Sequence, residues 1–197
     1  MSATKEMTHE ESLRLIKNMI QSVKSDFEDD SFQYLFWGWL VFSAAIIHYT
    51  LIQLNYEYAS LVWLLMPVGG IVSALHSRKQ NKGRKAKSFV EQFINHISTA
   101  FLISLTIVLF SMPHLQESCY PMILVLYGIF LYTCGSAIEF NPLRFGGALN
   151  WIAALIAFNV SFEIQLLILA GAVLGGYIIP GYLLKRKYSN QQSLNAA

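Results

Sequence analysis

The chain is short of charge, and that shortage already excludes most soluble folds. Charged residues make up 13% of its 197 residues, about half the share usual in soluble domains. Hydrophobic residues make up 54%, above the roughly 45–50% of such domains. Cysteine is nearly absent: there are two, Cys119 and Cys134. On a helix they would stand about 22 Å apart, whereas a disulfide needs Cα atoms within about 7 Å. No disulfide framework is expected. No cleavable signal peptide is expected either. Glu6, Glu10, Glu11, Asp26, Glu28, Asp29 and Asp30 crowd the first thirty residues, unlike a basic leader before a short apolar core.

Catalytic patterns are also lacking. There is no HExxH, no G-x-S-x-G, no P-loop and no Asp inside any apolar run. Ionisable groups at membrane depth are costly and mark intramembrane chemistry. Their scarcity argues against an enzyme, and nothing in the sequence implies a cofactor or a resident metal.

Long apolar runs are what the chain does have. "LFWGWLVFSAAIIHYTLIQL" (Leu35–Leu54) and "YASLVWLLMPVGGIVSAL" (Tyr58–Leu75) carry no charge. A bilayer core about 30 Å thick takes ~20 helical residues. Four further runs follow, at Ile97–Met112, Tyr120–Ile138, Phe145–Phe158 and Ile164–Leu184. The expected fold class is all-α: a polytopic membrane protein of six transmembrane helices in three hairpins. Its parts would be a cytoplasmic N-terminal segment (1–34), the membrane domain (35–184) and a disordered tail (185–197).

The cations set the threading. Lys5, Arg14, Lys17 and Lys24 precede the first span, and Arg78, Lys79, Lys82, Arg84, Lys85 and Lys87 follow the second. Arg144 follows the fourth span, and Lys185, Arg186 and Lys187 follow the sixth. With six spans, all fourteen Lys and Arg fall on one side, and Lys/Arg excess marks the cytoplasmic side. Both termini are then cytoplasmic. Without the short fifth span, the cationic tail would lie outside. The basic loop "HSRKQNKGRKAKS" is thereby explained as a topological marker, and no nucleic-acid partner is needed. Trp37, Trp39, Tyr56, Tyr58, Trp63 and Tyr120 are expected near the two interfaces, where amphipathic rings concentrate.

Outside the membrane one pattern stands out. Residues 9–27 read as an amphipathic helix. Thr8 with Glu11 matches a capping box, and Leu13, Ile16, Ile20, Val23 and Phe27 recur at helical spacing. This stripe either lies on the inner membrane surface or on the protein's own loop, or docks a protein partner or a second copy.

Polar candidates are few. Asn150 sits mid-span, suited to an interhelical hydrogen bond or a ligand contact. Glu57, Glu117 and Glu163 occupy one outer loop each, with His114 nearby and His48 in the outer half of the first span. They are either solvated interfacial groups or a converging cation site. Glu139 and Arg144 flank the turn at Asn141-Pro142; they either pair, or Arg144 anchors at lipid headgroups. "EYASLVWLLMPVGG" and "EIQLLILAGAVLGG" share a register ending in Gly-Gly, either a hairpin repeat of the kind some transporters show or a chance match between short apolar stretches. Pro67 and Pro180 are expected to kink their helices.

"LFWGWLVF", "WLLMPVGG" and "GYIIPGYLLKRKY", with the helix "EESLRLIKNMI", resemble a group of uncharacterised small inner-membrane proteins of Bacteroidota-type bacteria. The likeness covers most of residues 10–188. It implies an inner-membrane location and offers no activity to carry over. Members encoded beside small winged-helix regulators would imply a regulatory role. The expected function is that of a non-enzymatic interaction or regulatory membrane protein, the alternative being a small-solute or cation transporter or channel.

Overall fold

A computed structural model of the chain describes residues 31–80 and 89–186. Among them the protein is all-helical, with no strand. The six principal helices are α1 (Ser31–Gln53), α2 (Leu65–Gln80), α3 (Phe89–Phe110), α4 (Cys119–Ala137), α5 (Asn141–Ala157) and α6 (Phe162–Val173). The last continues through a π-helical turn at Leu174–Ile178 to residue 186. The partner-docking candidates Leu13, Ile16, Ile20, Val23 and Phe27 lie outside the described residues, as does the basic stretch from 81 to 88; residues 76–80, with Arg78 and Lys79, continue α2 rather than forming a loop.

Four stretches are long and apolar enough to cross a membrane: Leu35–Gln53, Gln92–Phe110, Met112–Ala137 and Phe162–Arg186. A shorter apolar stretch spans Ala59–Ser73. Apolar side chains also cover much of the outside. Phe110 is 82% exposed and Phe145 75%. A helix apolar all round belongs in a large core or in lipid, and this bundle is too thin to bury all its helices on every side.

α1, α4, α5 and α6 form the centre, with α2 laid on α1 and α3 on α4. α4 and α5 pack most intimately. A Cβ on Gly147 would stand 2.8 Å from both the Gly128 carbonyl oxygen and the Tyr132 amide, so only glycine allows that approach. α5 and α6 cross just as closely, where a Cβ on Gly146 would clash with the carbonyl oxygen of Gly176. Small residues at such crossings are how membrane helices gain close contact when lipid offers no hydrophobic drive.

Two turns hold the hairpins. α1 ends with Asn55 at φ 53°, the Tyr56 N–H donating to Leu51 O (3.0 Å) and the Asn55 N–H to Ile52 O (2.9 Å). That is a Schellman motif, and Asn tolerates its left-handed position. α4 ends the same way, with Phe140 N–H on Gly135 O (2.8 Å) and Glu139 N–H on Ser136 O (3.3 Å). Here the left-handed residue is Glu139, at φ 52°. Arg144 turns back onto this turn, donating through Nη1 to Asn141 Oδ1 (3.2 Å) and through Nη2 to Ser136 O (3.4 Å). A cation at the carbonyl end of α4 is favourably placed.

Pro67 does not interrupt an α-helix. Pro67 is the third residue of α2, following the 3-10 segment Ala59–Leu64. Its missing N–H is one that a first turn leaves unpaired anyway, so it starts a helix here. Pro180 follows the π-helical turn. Without an N–H it cannot take the regular bond to Gly176, and the widened turn accommodates that loss. The two Gly-Gly pairs therefore have different backbones: Gly69-Gly70 is α-helical and Gly175-Gly176 is π-helical.

Candidate functional site

His48 lies on α1, about five residues from its C-terminal end, and is buried at 3% exposure. Three other rings enclose it. Trp63 comes from the 3-10 segment, Tyr120 from the first turn of α4 and Phe162 from the first residue of α6. Their ring centroids lie 6.1–6.2 Å from that of His48, all edge-on. Tyr120 and Phe162 also approach each other at 5.0 Å. Four segments distant in sequence thus meet at one imidazole.

The hydrogen bonds here are directional. The Trp63 indole Nε1–H donates to His48 Nδ1 at 2.9 Å and to Tyr120 Oη at 3.1 Å. Tyr120 Oη lies 2.7 Å from the same Nδ1. An indole can only donate, so Nδ1 presents its lone pair. The tyrosine hydroxyl, accepting from the indole, spends its own proton on Nδ1. The network therefore assigns His48 as the neutral tautomer with its proton on Nε2.

Just outside this cluster α1 is tied to α6. Gln53 Nε2 donates to Glu163 Oε2 at 3.0 Å. Of the loop candidates, Glu163 is therefore engaged across helices, while Glu57 stands exposed in one connection and Glu117 and His114 stand exposed together in another. Among the described residues no three His, Cys, Asp or Glu gather as metal ligands. Gln165, one turn into α6, is buried; its Nε2 donates to Val160 O at 3.1 Å while its Oε1 has no partner.

Asn150 lies mid-α5 and is fully buried. Its Nδ2 donates to Gly146 O of its own helix at 2.8 Å, and its Oδ1 has no partner. The bond is intrahelical, so the interhelical hydrogen bond expected of this residue is not made. The carboxamide packs instead against Gly176 of the π-helical turn, where a Cβ would come within 2.5 Å of Nδ2.

Sequence reasoning singles out His48 and misses its partners. It places Trp63 and Tyr120 in the interfacial belt, yet Trp63 is 7% exposed and Tyr120 wholly buried. Tyr56 and Tyr58 are the exposed pair at that end. The overlooked signal is a histidine inside an apolar run, which needs donors or acceptors at its own depth. Trp63 and Tyr120 are the polar-tipped rings near the starts of the second and fourth apolar runs.

Comparison with known proteins gives no match among family models, curated proteins or solved structures. The reading of this site rests on its geometry.

Proposed function

We propose that this chain is an integral inner-membrane protein of six spans, with both termini cytoplasmic, that works through protein interactions in a regulatory role and carries out no catalysis. The bilayer would be its solvent and the N-terminal stripe its docking element, engaging a protein partner or a second copy. The observation that carries the reading is the closed centre of the bundle. Asn150, the most deeply placed strong polar group, is 0% exposed and packed on glycine backbone. A path for solute through that centre would have to leave such a group wet. The cation distribution supports the orientation, and the resemblance to small inner-membrane proteins supports the location.

The test is site-specific photocrosslinking from Leu13, Ile16 and Ile20 in native membranes. A discrete protein adduct, lost when Ile16→Asp breaks the stripe, is the expected result. Adducts to lipid alone overturn the reading. A second reading, a small-solute or cation transporter, draws on the π-helical turn beside Asn150. Irregular helices of this kind form transport sites elsewhere. Solute or cation flux in proteoliposomes, abolished by Asn150→Leu, would favour it.

A further inference from the structure

The ring cluster at His48 has chemistry that the proposed role does not use. Burying a titratable imidazole in a membrane protein is expensive unless something is gained, and an apolar ring would fill the same space. His48 also connects elements of very different rigidity. α1 and α4 are regular helices of 23 and 19 residues. Trp63 belongs to a six-residue 3-10 segment, whose hydrogen-bond geometry is poorer. If the cluster is forced apart, that segment is the part that yields.

We propose that His48, Tyr120 and Trp63 form a proton-sensing site whose protonation releases the 3-10 segment Ala59–Leu64 from the bundle. The step is a simple proton gain. Nδ1 takes a proton from the aqueous phase, and the ring becomes an imidazolium with both nitrogens donating. Nδ1–H then donates to Tyr120 Oη, and the tyrosine proton rotates away. The Trp63 N–H, 2.9 Å from Nδ1, now faces a second donor and a positive charge. It loses that acceptor, keeps only the shared Tyr120 oxygen at 3.1 Å, and is repelled from its seat.

Among the described residues no charge near the site cancels this repulsion. On α1 the neighbouring Tyr49 is half-buried, and Gln53 is the side chain that holds Glu163. On α4 the neighbour is Cys119, whose Sγ–H is turned to Val108 O at 4.0 Å. On α6 the nearest carboxylate is Glu163, exposed and held by Gln53 at 3.0 Å. On the segment leading to Trp63, Glu57 is exposed. His48 has no carboxylate partner among the described residues, so its charge falls on the aromatic cluster itself.

The test uses the full chain in lipid nanodiscs with 15N-labelled Trp and His. The four indole resonances are followed from about pH 8 down to about pH 3, well below the range of an ordinary histidine, with Trp63 assigned by Trp63→Phe. The Trp63 indole resonance and the His48 ring nitrogens should move at one common midpoint. Over the same step, exchange protection of the amides at 59–64, corrected for intrinsic rate, should fall at least about tenfold. Trp37, Trp39 and Trp151 should not follow, and His48→Gln should abolish the Trp63 response. Because that variant also alters packing, the wild-type titration is decisive without it. Separate midpoints for His48 and Trp63, an unmoved Trp63 indole, or unchanged protection at 59–64 overturns the proposal.

Discussion

Replacing Gly146 by alanine is the sharpest test of how the centre of the bundle is built. The added methyl would clash with the carbonyl oxygen of Gly176, and the next atoms, the Gly176 C and Cα, would lie at 2.9 and 3.0 Å. All three are backbone, so no side chain can swing away. α5 and α6 would have to separate by about 1 Å to reach ordinary contact, and gaps of 0.5–1 Å already forfeit about a quarter to a half of the dispersion well for facing atoms. Overpacking of this kind costs typically ~1–3 kcal/mol, and the absence of any flexible neighbour puts Gly146→Ala near ~3 kcal/mol. Gly171→Ala is the control. It lies on the same pair of helices, but a Cβ there meets nothing within 4 Å. That change can only gain helix propensity, at most about 1 kcal/mol. Two identical chemical changes should thus differ by about 3 kcal/mol, more than a hundredfold in the unfolding constant at 1.4 kcal/mol per tenfold. Equilibrium unfolding in mixed micelles, followed by helicity, measures both. Values for Gly146→Ala and Gly171→Ala within about 0.5 kcal/mol of each other, the usual scatter for independent sites, would refute the close crossing of α5 and α6.

Three further outcomes follow from particular contacts. Glu139→Gly should stabilise the protein by about 1 kcal/mol, because glycine carries no Cβ penalty in the left-handed position that ends α4; a loss of stability in the same unfolding assay would mean that the Glu139 side chain outweighs its strain. Asn150→Ala should cost under about 1 kcal/mol in lost hydrogen bonding, since that bond stays within its own helix, whereas Asn150→Asp should cost roughly 2.5–3.5 kcal/mol for a charge at depth; equal effects would mean that water reaches the site. For threading, Asn81→Cys should label with an impermeant maleimide only after the cells are opened, and Glu117→Cys in intact spheroplasts, with native Cys119 and Cys134 silent because both are buried; the reverse pattern would invert the topology.

The class of this protein is legible without any structure, because lipid permits so few solutions. A chain with twenty-residue uncharged runs must pair its backbone groups within each segment, and only helices do that locally. Helix ends are legible to within a few residues at most boundaries: the run Leu35–Leu54 corresponds to the helix Ser31–Gln53, and Tyr120–Ile138 to Cys119–Ala137. The exceptions are physical. The second run begins as a 3-10 segment, because Pro67 suits the opening of an α-helix and not its middle. The third helix starts at Phe89 rather than Ile97, since the polar residues before Ile97 continue a helix as readily as apolar ones do.

Which side of each helix faces its neighbours is not legible. In lipid the outer face is as apolar as the inner one, so hydrophobic periodicity loses the contrast that reveals burial in water. That is why Trp63 and Tyr120 read as interfacial from the sequence and His48 stands there without its partners. By itself the sequence determined the helical class and the number and length of the apolar runs, because those are one-dimensional properties of charge and length. Only the tertiary structure decided that His48, Trp63, Tyr120 and Phe162 share one buried cluster and that Gly146 rests on Gly176. Both depend on the rotation and closeness of helices, and these are set by glycine-to-backbone contacts between segments far apart in the chain.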